Sequence, residues 1–452
     1  MKITKYSDCI AFFDKESFYT KAQIERDIES NRKGGFVLEF RDADGNPLSN
    51  LGVKVSLKKH EFKFGCSSFL LDEFPEEERN KAYREKFTDV FNYAVVPLYW
   101  DTLEPEEGKP RFSEDSPKIW RRPALDKIVK FCNENDIGMK GHCLMYHSFN
   151  PDWIPENHRE LKMAVDKRLR EIGERYGNDF LDVDVINELH SKYRNLYGCP
   201  WKIRNYPIAD DRDHVEWCFA EAKKYFPFST LHWNEGCYQT FGDSYVGEKS
   251  YYYMMLEKYI SKGVPIEAIG MQFHAFGGVE KADMIFNPVR AFDIFDMYSR
   301  FGLPIHLSEV SIPSYGNDEE GEETQKELCR RMFSLWFSRK NIEAIIWWNF
   351  VDGTAYGDEN KYHAGLLRND MSEKPAFKAI KELINKEWHT ELCAETDSDG
   401  KISFCGFYGD YDVTVTDGTG EKHFSIKLHK DNTGYLHSKA HGFGLRPKII
   451  TL

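Results

Sequence analysis

Leu181-Asp-Val-Asp-Val-Ile-Asn-Glu-Leu-His190 is a β-branched, largely apolar run that stops at an adjacent amide and carboxylate, Asn187 and Glu188. Residues of this kind favour a strand, and a buried strand that ends by presenting an acid is a catalytic arrangement if a second acid faces it. Leu303-Pro-Ile-His-Leu-Ser-Glu-Val-Ser311 has the same construction much later in the chain, with Glu309 as the candidate second acid. Working outward, runs of this type recur at 62–66, 93–97, 137–142, 183–186, 229–233, 268–273, 304–307 and 344–348. Helical patterns at 125–135, 160–176, 215–226, 252–262 and 323–339 separate them. Strands alternating with helices pair in parallel through crossovers, and eight such units predict an α/β fold, a closed (β/α)8 TIM barrel.

The barrel is expected over 61–388. Residues 1–60 read as a helix near 18–33 followed by strand, turn and strand, the turn at Asp42-Ala-Asp-Gly-Asn-Pro47. Residues 389–452 alternate short strands with glycine turns and predict a small antiparallel β domain.

A net charge of -13 without a long basic run excludes nucleic acid and an anionic membrane surface as partners. No window approaches the ~20 apolar residues of a membrane span. The apolar run at 9–13 is too short for a signal peptide. The expected location is therefore cytoplasmic, or secreted had a leader been cut away. The ten cysteines contain no Cys-x-x-Cys and are expected to be free thiols. No metal is expected, because His-x-His and His-Glu-x-x-His are absent. The sequence carries no signal for an oligomeric state.

Reacting groups of such a barrel gather at the C-terminal strand ends. There the sequence places His142, Tyr146 and His147 after the third strand, Asn187 and Glu188 after the fourth, and Asn234 and Glu235 after the fifth. Gln272 and His274 follow the sixth, Glu309 the seventh, and Trp347 and Trp348 the eighth. Polar groups between aromatic walls suit a carbohydrate, and two facing carboxylates hydrolyse a glycosidic bond. His274 is expected to hold Glu309 ionised. Glu235 is the rival acid, and one of the two tryptophans should be core and the other a platform.

At these residues the chain resembles glycoside hydrolase family 10, the endo-β-1,4-xylanases. Gly141-His-Cys-Leu-Met-Tyr-His-Ser148, Asp184-Val-Ile-Asn-Glu188, Gly270-Met-Gln-Phe-His274 and Ser308-Glu-Val-Ser311 follow its motifs in order. Leu103-Glu-Pro-Glu-Glu-Gly108 and Lys374-Pro-Ala-Phe377 also fit. The resemblance implies that Glu188 is general acid/base and Glu309 the nucleophile of a retaining double displacement on xylan or its oligosaccharides. It places Asn187, His142, Tyr146, His147, Gln272, His274, Trp348 and Tyr356 around the sugar, and implies no cofactor. The chain departs from the pattern where Val95, Val96 and Tyr99 stand in place of Glu, Asn and Lys, where Ser311 replaces the Asp that orients the histidine, and where Tyr356 replaces a Trp. Those departures keep open a related β-glycosidase on a decorated or non-xylan glycoside. A non-catalytic glycan-binding barrel is the alternative from another class.

Overall fold

The computed structural model describes residues 6–15, 17–189, 206–236, 247–276, 281–418, 420–431, 435–438 and 442–452. In chain order β1 (Lys33–Arg41) and β2 (Gly52–His60) come first, followed by β3 (Lys63–Ser67), β4 (Tyr93–Pro97), β5 (Gly138–His142) and the two-residue β6 (Met145–Tyr146). Then come β7 (Phe180–Asn187), β8 (Thr230–Glu235), β9 (Ala268–His274), β10 (Ile305–Ser311) and β11 (Ile342–Trp347). Strands β5, β4, β3, β11, β10, β9, β8 and β7 neighbour one another in that order, all in parallel, and a β5–β7 pairing closes the ring. This is the expected (β/α)8 barrel.

Its helices follow from local pattern. In His158–Tyr176, Asn157 caps the N-terminus by accepting from the backbone of Arg159 and Glu160, and Leu161, Val165, Leu169, Ile172 and Tyr176 form one buried face. Pro288–Tyr298 starts on the Asn287 cap with proline in the first turn.

The barrel interior holds two layers of charge. In the lower one the Asp182 carboxylate lies 2.6 Å from Lys63 Nζ and 2.7 Å from His232 Nε2, with His306 3.9 Å away and the Tyr93 hydroxyl donating to it. Asp182, His232 and His306 are grouped as metal ligands would be, yet the Lys63 ammonium already supplies the cation. Above them Lys140 Nζ and His142 Nδ1 lie 2.7 and 2.8 Å from the two oxygens of Asp184. Burial acts to raise the Asp184 carboxyl, but Lys140 and His142 outweigh it and hold it below the ordinary range.

The strands near both termini belong to a second unit. Here β12 (Glu391–Glu395), β13 (Lys401–Phe407), β14 (Gly409–Asp417), β15 (Gly420–Leu428), β16 (Tyr435–Ser438), β17 (Gly442–Leu445) and β18 (Pro447–Thr451) follow the barrel. The turn after β1 forms as expected, with Asp42 Oδ1 accepting from the backbone of Asp44 and Asn46. Nevertheless β1 and β2 enter different sheets, β13-β1-β18 and β12-β2-β14-β15, each built with C-terminal strands. The β1–β18 pair is parallel, which departs from a purely antiparallel arrangement.

Eight cysteines, Cys9, Cys66, Cys132, Cys143, Cys218, Cys329, Cys393 and Cys405, carry free thiols. Cys199 and Cys237 lie outside the described residues. Among the described residues no helix is long and apolar enough to cross a membrane.

Candidate active site

Strand alternation alone would not bring the two acids together. In β7, Asp184 pairs with His232 and Asn187 with Asn234, so one extra β7 residue is accommodated between them. In β10 the register against β9 shifts between Leu307 and Glu309, which sets Glu309 opposite Gln272. These irregularities turn Asn187 and Glu309 to the inside. Glu309 is thus within its strand rather than past its end, as the sequence reading had it. Glu188 follows β7 at a φ of 50°, a left-handed conformation that non-glycine residues adopt mainly where the surroundings impose it.

The acids are linked by amides. Asn234 Nδ2 donates to Glu309 Oε1 (2.7 Å) and to Asn187 Oδ1 (2.8 Å), while its own Oδ1 accepts from Ser308. Gln272 Nε2 donates to Glu188 Oε1 at 2.9 Å and approaches Asn187 Oδ1 at 3.4 Å. The Tyr146 hydroxyl donates to Glu188 Oε2 at 2.8 Å. Gly270 makes the amide chain possible, since a Cβ there would come 2.4 Å from Asn234 Oδ1.

Around Glu309, His274 Nε2 lies 3.0 Å from Oε2 and its Nδ1 lies 3.0 Å from Ser311 Oγ. Burial holds His274 below its ordinary range and therefore neutral. A neutral ring that donates from Nε2 must accept at Nδ1, and a serine hydroxyl supplies that proton where an aspartate could not. The expected contact is made, and the N–H donated from Nε2 favours the ionised form of Glu309, but burial outweighs it. Burial, reinforced by the charges of Glu188 and Asp184, pushes its carboxyl up to about 8 against the opposing His142 and Asn234.

His142 Nε2 lies 3.9 Å from Glu309 Oε1 and 3.1 Å from the Tyr99 hydroxyl. Trp348, 6% exposed, meets the rings of His142 and His274 edge-on at 5.1 and 6.1 Å. Trp347 points the other way, donating from its indole to the carbonyls of Asn349 and Ala364. Both tryptophans are buried, and Trp348 is the one that lies against the histidines of the site. His147 is buried with its ring edge-on to Tyr146 at 5.0 Å. Tyr356, 38% exposed, meets Phe149 edge-on at 5.5 Å. Glu235 accepts from the indole of Trp233 at 3.0 Å, directed to the helix-facing side of β8. The sequence places Asn234 among the strand-end polar groups and Tyr99 where a Lys is expected, but does not show what either touches. Their positions at strand ends were visible, but the hydrogen-bond partners of their side chains lie 43 or more residues away in the chain.

The model of glycosyl hydrolase family 10 matches residues 60–383. The chain belongs to that family. Curated relatives of this family 10 chain include "Endo-1,4-beta-xylanase 2" of Arabidopsis thaliana, 25% identical over 89% of this chain and 34% of that protein. The "Anti-sigma-I factor RsgI6" of Acetivibrio thermocellus is 24% identical over 90% of this chain and 48% of that protein. The chain thus spans between a third and a half of the length of these two relatives. The structure of native xylanase 10B from Thermotoga maritima shares the barrel, with a TM-score of 0.57, 23% identity and coverage of 72% of this chain and 96% of that one.

Proposed function

We propose that the family 10 barrel of this chain is a retaining glycoside hydrolase acting on β-1,4-linked xylan or xylo-oligosaccharides. The observation that carries the reading is the pair Glu188 and Glu309, presented by β7 and β10 and joined through Asn187, Asn234 and Gln272. Xylan as substrate is supported by the names of the relatives. One relative is named as an anti-sigma factor, so family membership alone does not establish turnover. The intact acid pair favours it over a purely glycan-binding barrel.

In the proposed reaction a Glu309 oxygen attacks the anomeric carbon as the bond to the leaving oxygen breaks, and that oxygen takes a proton from Glu188. Water then attacks the glycosyl ester, giving its proton to Glu188 and releasing Glu309. Tyr146 serves both states of Glu188, because its hydroxyl donates to the carboxylate and turns to accept from the acid. Asn187 Oδ1 is occupied by two amides, which leaves its Nδ2 for a sugar hydroxyl beside the reacting carbon.

NMR of the first product from a xylo-oligosaccharide tests the reading. Retention gives the β-anomer initially, and an initial α-anomer would refute it. Glu309→Ala should abolish turnover of every substrate. Glu188→Ala should retain cleavage of aryl glycosides with good leaving groups, which need little protonation.

A further inference from the structure

Among the described residues, most cations inside this barrel face a carboxylate or several backbone carbonyls. Lys63, Lys140 and Lys374 each face a carboxylate, at 2.6, 2.7 and 3.1 Å. Arg111 and Arg168 have no carboxylate, but each donates to three backbone carbonyls. Arg121 and Arg122, only 6% and 8% exposed, have neither arrangement. Arg121 Nη1 donates to the Thr354 carbonyl and Arg122 Nη1 to the Arg121 carbonyl at 2.9 Å, and both Nε groups are buried without a partner. Among the described residues neither guanidinium has a carboxylate within 4.0 Å.

Adjacent in sequence, the two cations also repel each other. Burial, reinforced by Arg122, pushes Arg121 down to about 10, and burial lowers Arg122 as well; a guanidinium stays charged at neutral pH. The acids acting on them, Glu359 on Arg121 and Asp101 on Arg122, stand beyond ion-pair distance. Glu359 already accepts from Asn349. The nearby buried Glu73 is acted on by Lys118, Lys127 and Arg111 and meets Arg121 only through its backbone N–H. Arg121 sits at a φ of 64°, a conformation that costs a non-glycine residue energy.

Their place is one ring away from the reacting groups. The Arg122 guanidinium lies 4.1 Å over the Tyr99 ring, whose hydroxyl contacts His142, and 6.0 Å from the ring of Phe149, which packs on Tyr146. Aromatic faces attract a cation but offer no strong acceptor. A buried cation needs one, and a carboxylate fits the guanidinium fork best.

We propose that Arg121 and Arg122 form a binding site for a carboxylate on the substrate, so that the glycan taken by this cleft carries an acidic sugar, a uronic acid. The proposal rests on the reading of the cleft as a glycan site. It explains why Tyr99 stands where a lysine is expected. Arg122 behind that ring supplies the positive charge, displaced toward a substituent instead of the main chain.

The test is a titration of the full chain bearing Glu309→Ala with two ligands. One is a xylo-oligosaccharide carrying a single glucuronic acid, and the other is the same compound with its carboxyl reduced to the alcohol. The acidic ligand should bind at least about tenfold more tightly at low salt, and adding Arg122→Gln should bring the ratio to about one. Equal affinities in the Glu309→Ala protein would overturn the proposal, and that comparison needs no arginine variant to fold. A preference for the acid that survives both Arg122→Gln and Arg121→Gln would overturn it too. Failure of the wild-type chain to cleave any xylan, with the acid preference intact, would remove the hydrolase reading and leave the arginine site standing. Cleavage of plain xylan without that preference would do the reverse.

Discussion

Replacing Asn234 with alanine removes the amide that donates to Glu309 Oε1 at 2.7 Å while leaving both acids in place. A hydrogen bond to a charged group is worth about 1.5–3 kcal/mol, and one pH unit corresponds to about 1.4 kcal/mol. Asn234 stabilises the ionised form of a carboxyl that burial has already pushed up to about 8. Without the amide, the ionisation of Glu309 should move up by a further one to two pH units or so. The assay is kcat/KM against pH on an aryl xyloside with a good leaving group, because kcat/KM reports the free enzyme and such a substrate does not require the Glu188 proton. Below its acidic limb the variant should lose roughly 10- to 100-fold, and the loss should shrink as the pH passes the displaced limb. A uniform loss at every pH with the limb unmoved would refute the reasoning. Asn234 would then act by positioning Asn187 alone.

Three further outcomes follow from the same contacts. Gly270→Ala should reproduce the Asn234 phenotype in milder form, since its Cβ would meet Asn234 Oδ1 at 2.4 Å; an unchanged pH profile in a folded variant would refute this. Ser311→Asp gives His274 Nδ1 a charged acceptor, favours the imidazolium 3.0 Å from Glu309, and should move the acidic limb to lower pH. A limb that stays or rises would count against the tautomer assigned to His274. For stability the sign is opposite to that of a salt-bridged acid. The native carboxyl of Glu309 titrates near 8 and the unfolded one near 4.3, so the native state binds more protons between them and wild-type stability falls as pH rises through that window. Glu309→Gln should therefore gain Tm relative to wild type from pH ~5 to ~8, and a constant difference across that range would contradict the raised ionisation.

Much of the molecule was legible because periodicity and chain order carry it. The helix His158–Tyr176 could be read from its buried spacing and Asn cap, and the eight strands from apolar runs between helices. The partners of β1 and β2 could not be read, since both lie more than 300 residues away in sequence and the intervening turn resembles that of a hairpin. Arg121 and Arg122 gave no signal either. An arginine pair in a loop is ordinarily solvated, and only packing against Phe69, Tyr99 and Phe149 reveals that this one is buried.

The acids mark the same boundary most sharply. The sequence by itself determined which residue types stand at which strand ends: an amide and an acid after one run, and an acid in another. It could not determine which way they face, because side chains alternate with period two and one inserted residue reverses the sense. With His306 inside the barrel beside His232, strict alternation would send Glu309 outward among the helices. With Asp184 inside, it would do the same to Asn187. The register shifts in β10 and β7 turn both inward. These shifts are set by the pairing of neighbouring strands around a closed ring, a constraint that exists only once the whole barrel has formed.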